Sequence, residues 1–169
     1  MKRILIIAAT ILVSVGLFAK GNDYQRYSVK AGVYAPLVST SGYEKYITGE
    51  VSFGYNCMKN LQVSANFLSS QPIGSSWRFD NVFYAATAGI SFDLCTDDKI
   101  VASPEFKLGV GFGNYSDGSS KVGVAASLGM NFLYQVSSYC QTGINFNVSK
   151  ITNTNFSAAN LGVIIAFTF

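Results

Sequence analysis

Large apolar residues alternate with small or polar residues in eight stretches of the chain. The stretch LQVSANF, for example, has Leu61, Val63 and Phe67 in one register and polar side chains in the other. A period of two is typical of a β-strand, because successive side chains of a strand point to opposite faces. The predicted strands are residues 28–35, 46–55, 61–67, 84–94, 104–113, 122–132, 142–148 and 161–169.

The connectors between these strands alternate between long and short. The long ones are residues 36–45, 69–80, 114–120 and 149–157, and the short ones are residues 56–60, 95–99 and 134–138. This order predicts an all-β fold, an eight-stranded antiparallel up-and-down barrel. Strands of about ten residues match the length of tilted transmembrane strands. We therefore expect a transmembrane β-barrel with its long loops outside the cell and both ends of the mature chain in the periplasm.

The distribution of charge between the two registers predicts which face of the barrel contacts lipid. Nearly all strand charges lie in the register opposite the large apolar residues: Lys30, Glu50, Asp93, Glu105 and Lys107. These are too few for a water-exposed face, so we predict apolar side chains facing lipid and a lumen filled by polar side chains.

The five lumen charges are expected to pair, because a buried unpaired charge is costly. Lys30 and Glu50 lie on adjacent strands and are the favoured couple. Lys107 can reach across a narrow barrel towards Glu50 or lie near Glu105. The alternative is a wet lumen in which each charge is solvated by water.

The first segment, MKRILIIAATILVSVGLFAK, has a basic start followed by an apolar stretch. That stretch, residues 4–19, is shorter than the ~20 residues that a membrane-spanning helix needs. We therefore predict a cleavable signal peptide over residues 1–19 and a barrel domain over residues 20–169. Leu17 departs from the small residue usual three places before cleavage.

Composition excludes several functional classes. Charged residues make up 12% of the chain, against roughly 25% in soluble domains. Beyond Lys2 and Arg3 there is no basic run, so nucleic-acid binding is not expected. The chain has no histidine, which removes histidine-dependent catalysis and histidine metal sites. We expect no enzyme activity, cofactor or metal.

Three cysteines, Cys57, Cys95 and Cys140, lie in or beside the predicted short connectors. In an oxidising compartment one disulfide can form among them, which leaves one thiol over. The spacing does not determine which two would pair. An equally good interpretation is that all three are small residues at strand ends.

The end of the chain, LGVIIAFTF, resembles the carboxy-terminal sorting signal of bacterial outer-membrane barrels. The matching residues are Leu161, Val163, Ile165, Phe167 and Phe169. The stretches SPEFKLGVGFGNY and KVGVAASLGMNFLYQ resemble the fifth and sixth strands of such barrels. The chain as a whole is similar to the small OmpA and OmpX barrels. This resemblance implies a monomer in the outer membrane of a diderm bacterium, in contact with outer-membrane lipid and recognised during biogenesis by the barrel-assembly machinery.

The resemblance indicates a non-enzymatic role that is structural, envelope-stabilising or surface-interacting, and it identifies no surface ligand. A first alternative is an OmpW-like channel for hydrophobic solutes, which a narrow apolar lumen would favour. A second is a secreted lipocalin-like binder, which would need an apolar interior and a charged exterior.

Overall fold

The computed structural model describes residues 27–39, 46–58, 60–72, 81–97 and 99–169. The predicted signal peptide, residues 1–19, lies outside this part of the chain. The described residues include no helix long and apolar enough to cross a membrane.

Nine β-strands form a single closed sheet in the described residues. They are β1 (Tyr27–Ser39), β2 (Tyr46–Met58), β3 (Leu61–Pro72), β4 (Val82–Phe92), β5 (Leu94–Asp97), β6 (Ile100–Asn114), β7 (Ser120–Ser137), β8 (Cys140–Ile151) and β9 (Ser157–Thr168). Both β4 and β5 pair with β6, so the two together act as one strand interrupted at Asp93. All neighbours are antiparallel and β1 pairs with β9, which confirms the eight-stranded barrel.

The strands extend further into the connectors than the alternation predicts. β7 runs to Ser137 and stays paired with β8 down to Cys140, so the turn itself is only Ser138 and Tyr139. The main-chain ladder needs only N–H and C=O groups, so it continues where the side-chain alternation stops. The order of long and short connectors is nevertheless as predicted.

The two ends of the barrel differ in what they carry. We call the end with Tyr27 and Phe169 the terminal end, and the opposite end, where the turns 115–119 and 152–156 lie, the loop end. At the terminal end the Tyr27 N–H donates to the Phe169 carbonyl at 3.0 Å, and the Phe169 N–H donates to the Tyr27 carbonyl at 2.9 Å. Their rings stack with centroids 6.2 Å apart. These contacts extend the closing seam between β1 and β9 to the terminal end of the barrel.

The predicted polarity of the two faces is confirmed. Outward positions carry exposed large apolar side chains, among them Phe53, Phe67, Phe106, Leu128, Phe146 and Val163. Inward positions carry buried polar and charged side chains, among them Thr48, Glu50, Asn66, Ser103, Glu105 and Lys107. An apolar outer surface and a polar interior are the reverse of a soluble barrel and suit a lipid surrounding.

Candidate functional site in the barrel lumen

Lys107 lies at the centre of the buried charges in the lumen. Its Nζ is 2.5 Å from Glu50 Oε1 and 2.9 Å from Glu105 Oε1. Glu105 and Lys107 are both inward residues of β6, whereas Glu50 belongs to β2, and β3 and β4 separate these strands in the wall. The contact with Glu50 therefore crosses the lumen and ties two sides of the barrel together.

The predicted couple of Lys30 and Glu50 does not form. Lys30 on β1 lies opposite Ser52 of β2, and Glu50 lies opposite Gly32. The two charged residues are therefore offset by one inward position, which is about 7 Å along the strand. Within the described chain Lys30 takes part in neither of the ion pairs, which both belong to Lys107.

Asp93, the fifth predicted lumen charge, lies where β4 gives way to β5. Its Oδ1 accepts a hydrogen bond from the Ser103 hydroxyl at 2.5 Å. The structure therefore brings Glu50, Glu105 and Lys107 into one cluster and gives Asp93 a neutral partner.

A ladder of asparagine side chains extends this cluster around the lumen. Glu105 accepts hydrogen bonds from Asn131 and from Asn145, both at 3.0 Å. Asn147 donates to Asn145 Oδ1 at 2.6 Å, and Asn160 donates to Asn147 Oδ1 at 2.9 Å. The ladder joins β6, β7, β8 and β9, and it gives the Glu105 carboxylate neutral donors in addition to Lys107.

Sequence reasoning missed these asparagines, although their signal was present. In INFNV, Asn145 and Asn147 alternate with apolar residues and so occupy the inward register. An inventory of charges overlooks them because the asparagine side chain is neutral. Their burial, with Asn145 at 0% exposure, shows that the amides are as much part of the lumen as the charges are.

Two inward glycines make room for the charged cluster. A Cβ added at Gly89 would lie 3.2 Å from the Lys107 side chain and 2.9 Å from the Asn66 amide. A Cβ added at Gly129 would lie 3.3 Å from Glu105 Oε1. In a narrow barrel, long side chains can fill the lumen only where neighbouring positions are small.

An aromatic cap closes the lumen at the loop end. The Phe83 ring is fully buried, and its centroid lies 5.0 Å from Phe156, 6.1 Å from Tyr46 and 5.9 Å from Tyr115. Between this cap and the Lys107–Glu50 pair lies a cavity of about 20 Å³. A water needs roughly 10–15 Å³, so the space holds about one. The loop end of the lumen is packed.

The cysteines provide no disulfide between Cys57 and Cys140. Both are free thiols, Cys57 exposed and Cys140 half-buried. They lie on β2 and β8, with β1 and β9 between them, which places them on the order of 12–14 Å apart at the usual strand spacing. A disulfide requires Cα atoms within about 7 Å. The Cys95 side chain lies outside the described part.

The described residues contain no group of three or more Asp, Glu, Cys or His side chains that could hold a metal ion. The lumen cluster instead has two carboxylates around one ammonium group, a composition suited to holding the wall together.

A closed eight-stranded barrel with an apolar outside and a packed polar lumen has the fold of the small outer-membrane β-barrels. Neisserial surface protein A (NspA) matches with a TM-score of 0.66 at 16% identity, over 85% of this chain and 97% of NspA. The N-terminal barrel domain of Pseudomonas aeruginosa OprF matches with a TM-score of 0.64 at 9% identity, over 86% of this chain and all of that domain.

Ail, the attachment invasion locus protein of Yersinia pestis, matches with a TM-score of 0.58 at 16% identity, over 86% of this chain and 99% of Ail. No protein-family model matches the chain, and no curated protein matches it by sequence. At such low identities the likeness shows the fold, and at that level it confirms the predicted resemblance to small eight-stranded outer-membrane barrels.

Proposed function

We propose that the protein is a monomeric outer-membrane barrel with a structural, envelope-stabilising or surface-interacting role. It is exported by a signal peptide over residues 1–19 and assembled through the signal at Leu161, Val163, Ile165, Phe167 and Phe169. Outer-membrane lipid surrounds the wall. The apolar outer register supports the location in a membrane, because an apolar surface around the whole circumference would be unstable against water.

The observation that carries the structural role is the ion pair of Lys107 with Glu50 across the lumen. A barrel whose opposite walls are joined by buried ion pairs and amides is held in one shape, and its interior is occupied. No catalytic group is proposed, since the chain has no histidine and the buried carboxylates are engaged with Lys107 and with amides.

The two alternative functions have less support. An OmpW-like channel for hydrophobic solutes needs an open apolar passage. The described lumen does contain a buried apolar cluster of Tyr34, Leu133 and Ile164, but charges and asparagines occupy the rest of it, and Phe83 and Phe156 cap its loop end. A lipocalin-like binder needs an apolar interior and a charged exterior, which is the opposite of the polarity observed.

Single-channel recording tests the non-conducting role. The protein, refolded into planar bilayers, should give no steady openings, because side chains fill the loop end of the lumen. Insertion is checked on the same preparation in vesicles by the change in gel migration on heating, which is shown by folded barrels only. Steady openings of uniform size in inserted protein would favour the channel instead.

Epitope insertion tests the topology. An epitope inserted near Ser75, in the long connector between β3 and β4, should be reached by antibody on intact cells. One inserted near Asp97, at the short turn before β6, should be reached only after the outer membrane is opened. The opposite labelling pattern would reject the proposed orientation.

A further inference from the structure

The outer wall of the barrel has a recess in its apolar surface. A groove of about 560 Å³ lies across β1, β2, β3 and β9 and reaches β8. Its lining includes Ala31 and Gly49, with Val51, Phe67 and Val163 among the bulky residues around them.

The recess arises from the register of small outward residues on neighbouring strands. Ala31 lies opposite Val51, and Gly49 lies opposite Val33, so the two small positions are diagonal neighbours on the outer face. A Cβ added at Gly49 would meet no atom within 4 Å. Large outward side chains, among them Val51, Phe67 and Val163, border these two small positions, so the pair forms a recess in the belt.

We propose that this groove binds one acyl chain of a membrane lipid, an inference that rests on the proposed location in the membrane. Its volume falls within the roughly 300–1,000 Å³ of small-molecule sites. The groove opens onto the surrounding apolar belt, so lipid tails are the molecules that reach it. An acyl chain in the groove makes the van der Waals contacts that the small residues Ala31 and Gly49 leave unmade.

A polar notch at one end of the groove determines how the lipid lies. Ser69 lines the groove on β3, and Gln71, the next outward residue towards the loop end, donates to the Ser69 hydroxyl at 3.4 Å. At the other end Thr142 already donates to the Ile164 carbonyl at 3.2 Å. Among the described contacts the Gln71 amide uses one N–H, which leaves its second N–H for an ester carbonyl. The lipid therefore belongs to the leaflet at the loop end.

A second copy of the chain fits the groove less well. A two-fold dimer brings the same patch of both copies together, so it would put recess against recess and leave a void. A stable interface also needs roughly 1,200–2,000 Å², whereas two convex barrel walls touch along a narrow line.

Native mass spectrometry of the refolded barrel in detergent tests the proposal, with palmitoyl-oleoyl phosphatidylglycerol as the probe. The wild type should retain one lipid. Gly49→Phe fills the groove and should weaken binding at least about tenfold, which corresponds to about 1.4 kcal/mol. Ala88→Phe adds the same side chain at an exposed outward position on β4 and should bind as the wild type does. Gln71→Leu should weaken binding by a smaller factor.

Equal lipid retention by the wild type and by Gly49→Phe would overturn lipid binding in the groove. Unchanged binding by Gln71→Leu would overturn the placement of the lipid ester beside Gln71. A dimer without bound lipid that dissociates in Gly49→Phe would assign the groove to a second copy. Heat-modifiable migration of each variant checks its folding. Failure of the wild type to insert into vesicles would instead reject the membrane location itself.

Discussion

Replacing Lys107 with methionine is expected to lower the free energy of unfolding of the refolded barrel by about 3–5 kcal/mol, as for other buried pairs that lose one partner. The substitution leaves two buried carboxylates, Glu50 and Glu105, near one another without the ammonium group that both contact. Urea titration of the barrel in vesicles measures the change. An exposed pair would lose only about 0–1 kcal/mol.

Lys30→Met is the matched control, because it makes the same chemical change in the same lumen. Lys30 is in neither described ion pair, so its replacement should leave the free energy of unfolding unchanged or raise it. Equal losses for Lys30→Met and Lys107→Met would contradict the central position of Lys107.

Glu50→Gln should lower stability less than Lys107→Met does, because Lys107 keeps Glu105 as a partner. It should still cost more than Glu44→Gln, a control in the connector before β2. The double variant Lys107→Met with Glu50→Gln should lose less than the sum of the two single variants, since the first change already removes the pair. Small, equal losses of stability in Glu50→Gln and Glu44→Gln would show that the lumen holds enough water to solvate its charges.

Deleting Phe169 is expected to leave most of the protein as unfolded precursor in the periplasm. The residue provides both backbone hydrogen bonds to Tyr27 at the closing seam between β9 and β1. The rest of the seam, from the Ser28 and Thr168 pair onward, keeps its partners, so the deletion removes the terminal aromatic signal and the last pair of the seam. The fraction that shows heat-modifiable migration in isolated outer membranes measures assembly.

A second variant separates two effects of the deletion: the loss of the aromatic side chains as an assembly signal, and the loss of the backbone hydrogen bonds to Tyr27. Changing Phe167 and Phe169 to asparagine keeps the backbone hydrogen bonds and removes the aromatic side chains. If the aromatics act as the assembly signal, this variant should also accumulate in the periplasm, yet the purified protein should still fold into vesicles. Assembly of the deletion variant at the wild-type level would refute the role of Phe169 as an assembly signal.

Two features of this protein follow from local sequence. The period of two in stretches such as LQVSANF specifies strands, because the pleat sends alternate side chains to opposite faces whatever the partner strand is. Parity likewise places Glu50, Glu105 and Lys107 on the face away from the large apolar residues. Strand number, the order of connectors and the polarity of the two faces are therefore readable from the chain.

Tertiary structure alone decided which lumen groups meet and where the wall is recessed. Sequence adjacency favoured Lys30 as the partner of Glu50, but strand stagger puts Gly32 opposite Glu50 and leaves Lys107 to reach it from across the lumen. The diagonal of Ala31 and Gly49 depends on the same stagger between β1 and β2. Side-chain parity survives any shift of two residues, whereas contacts between strands change with every such shift. The sequence pattern thus determines faces, and the closed sheet determines contacts.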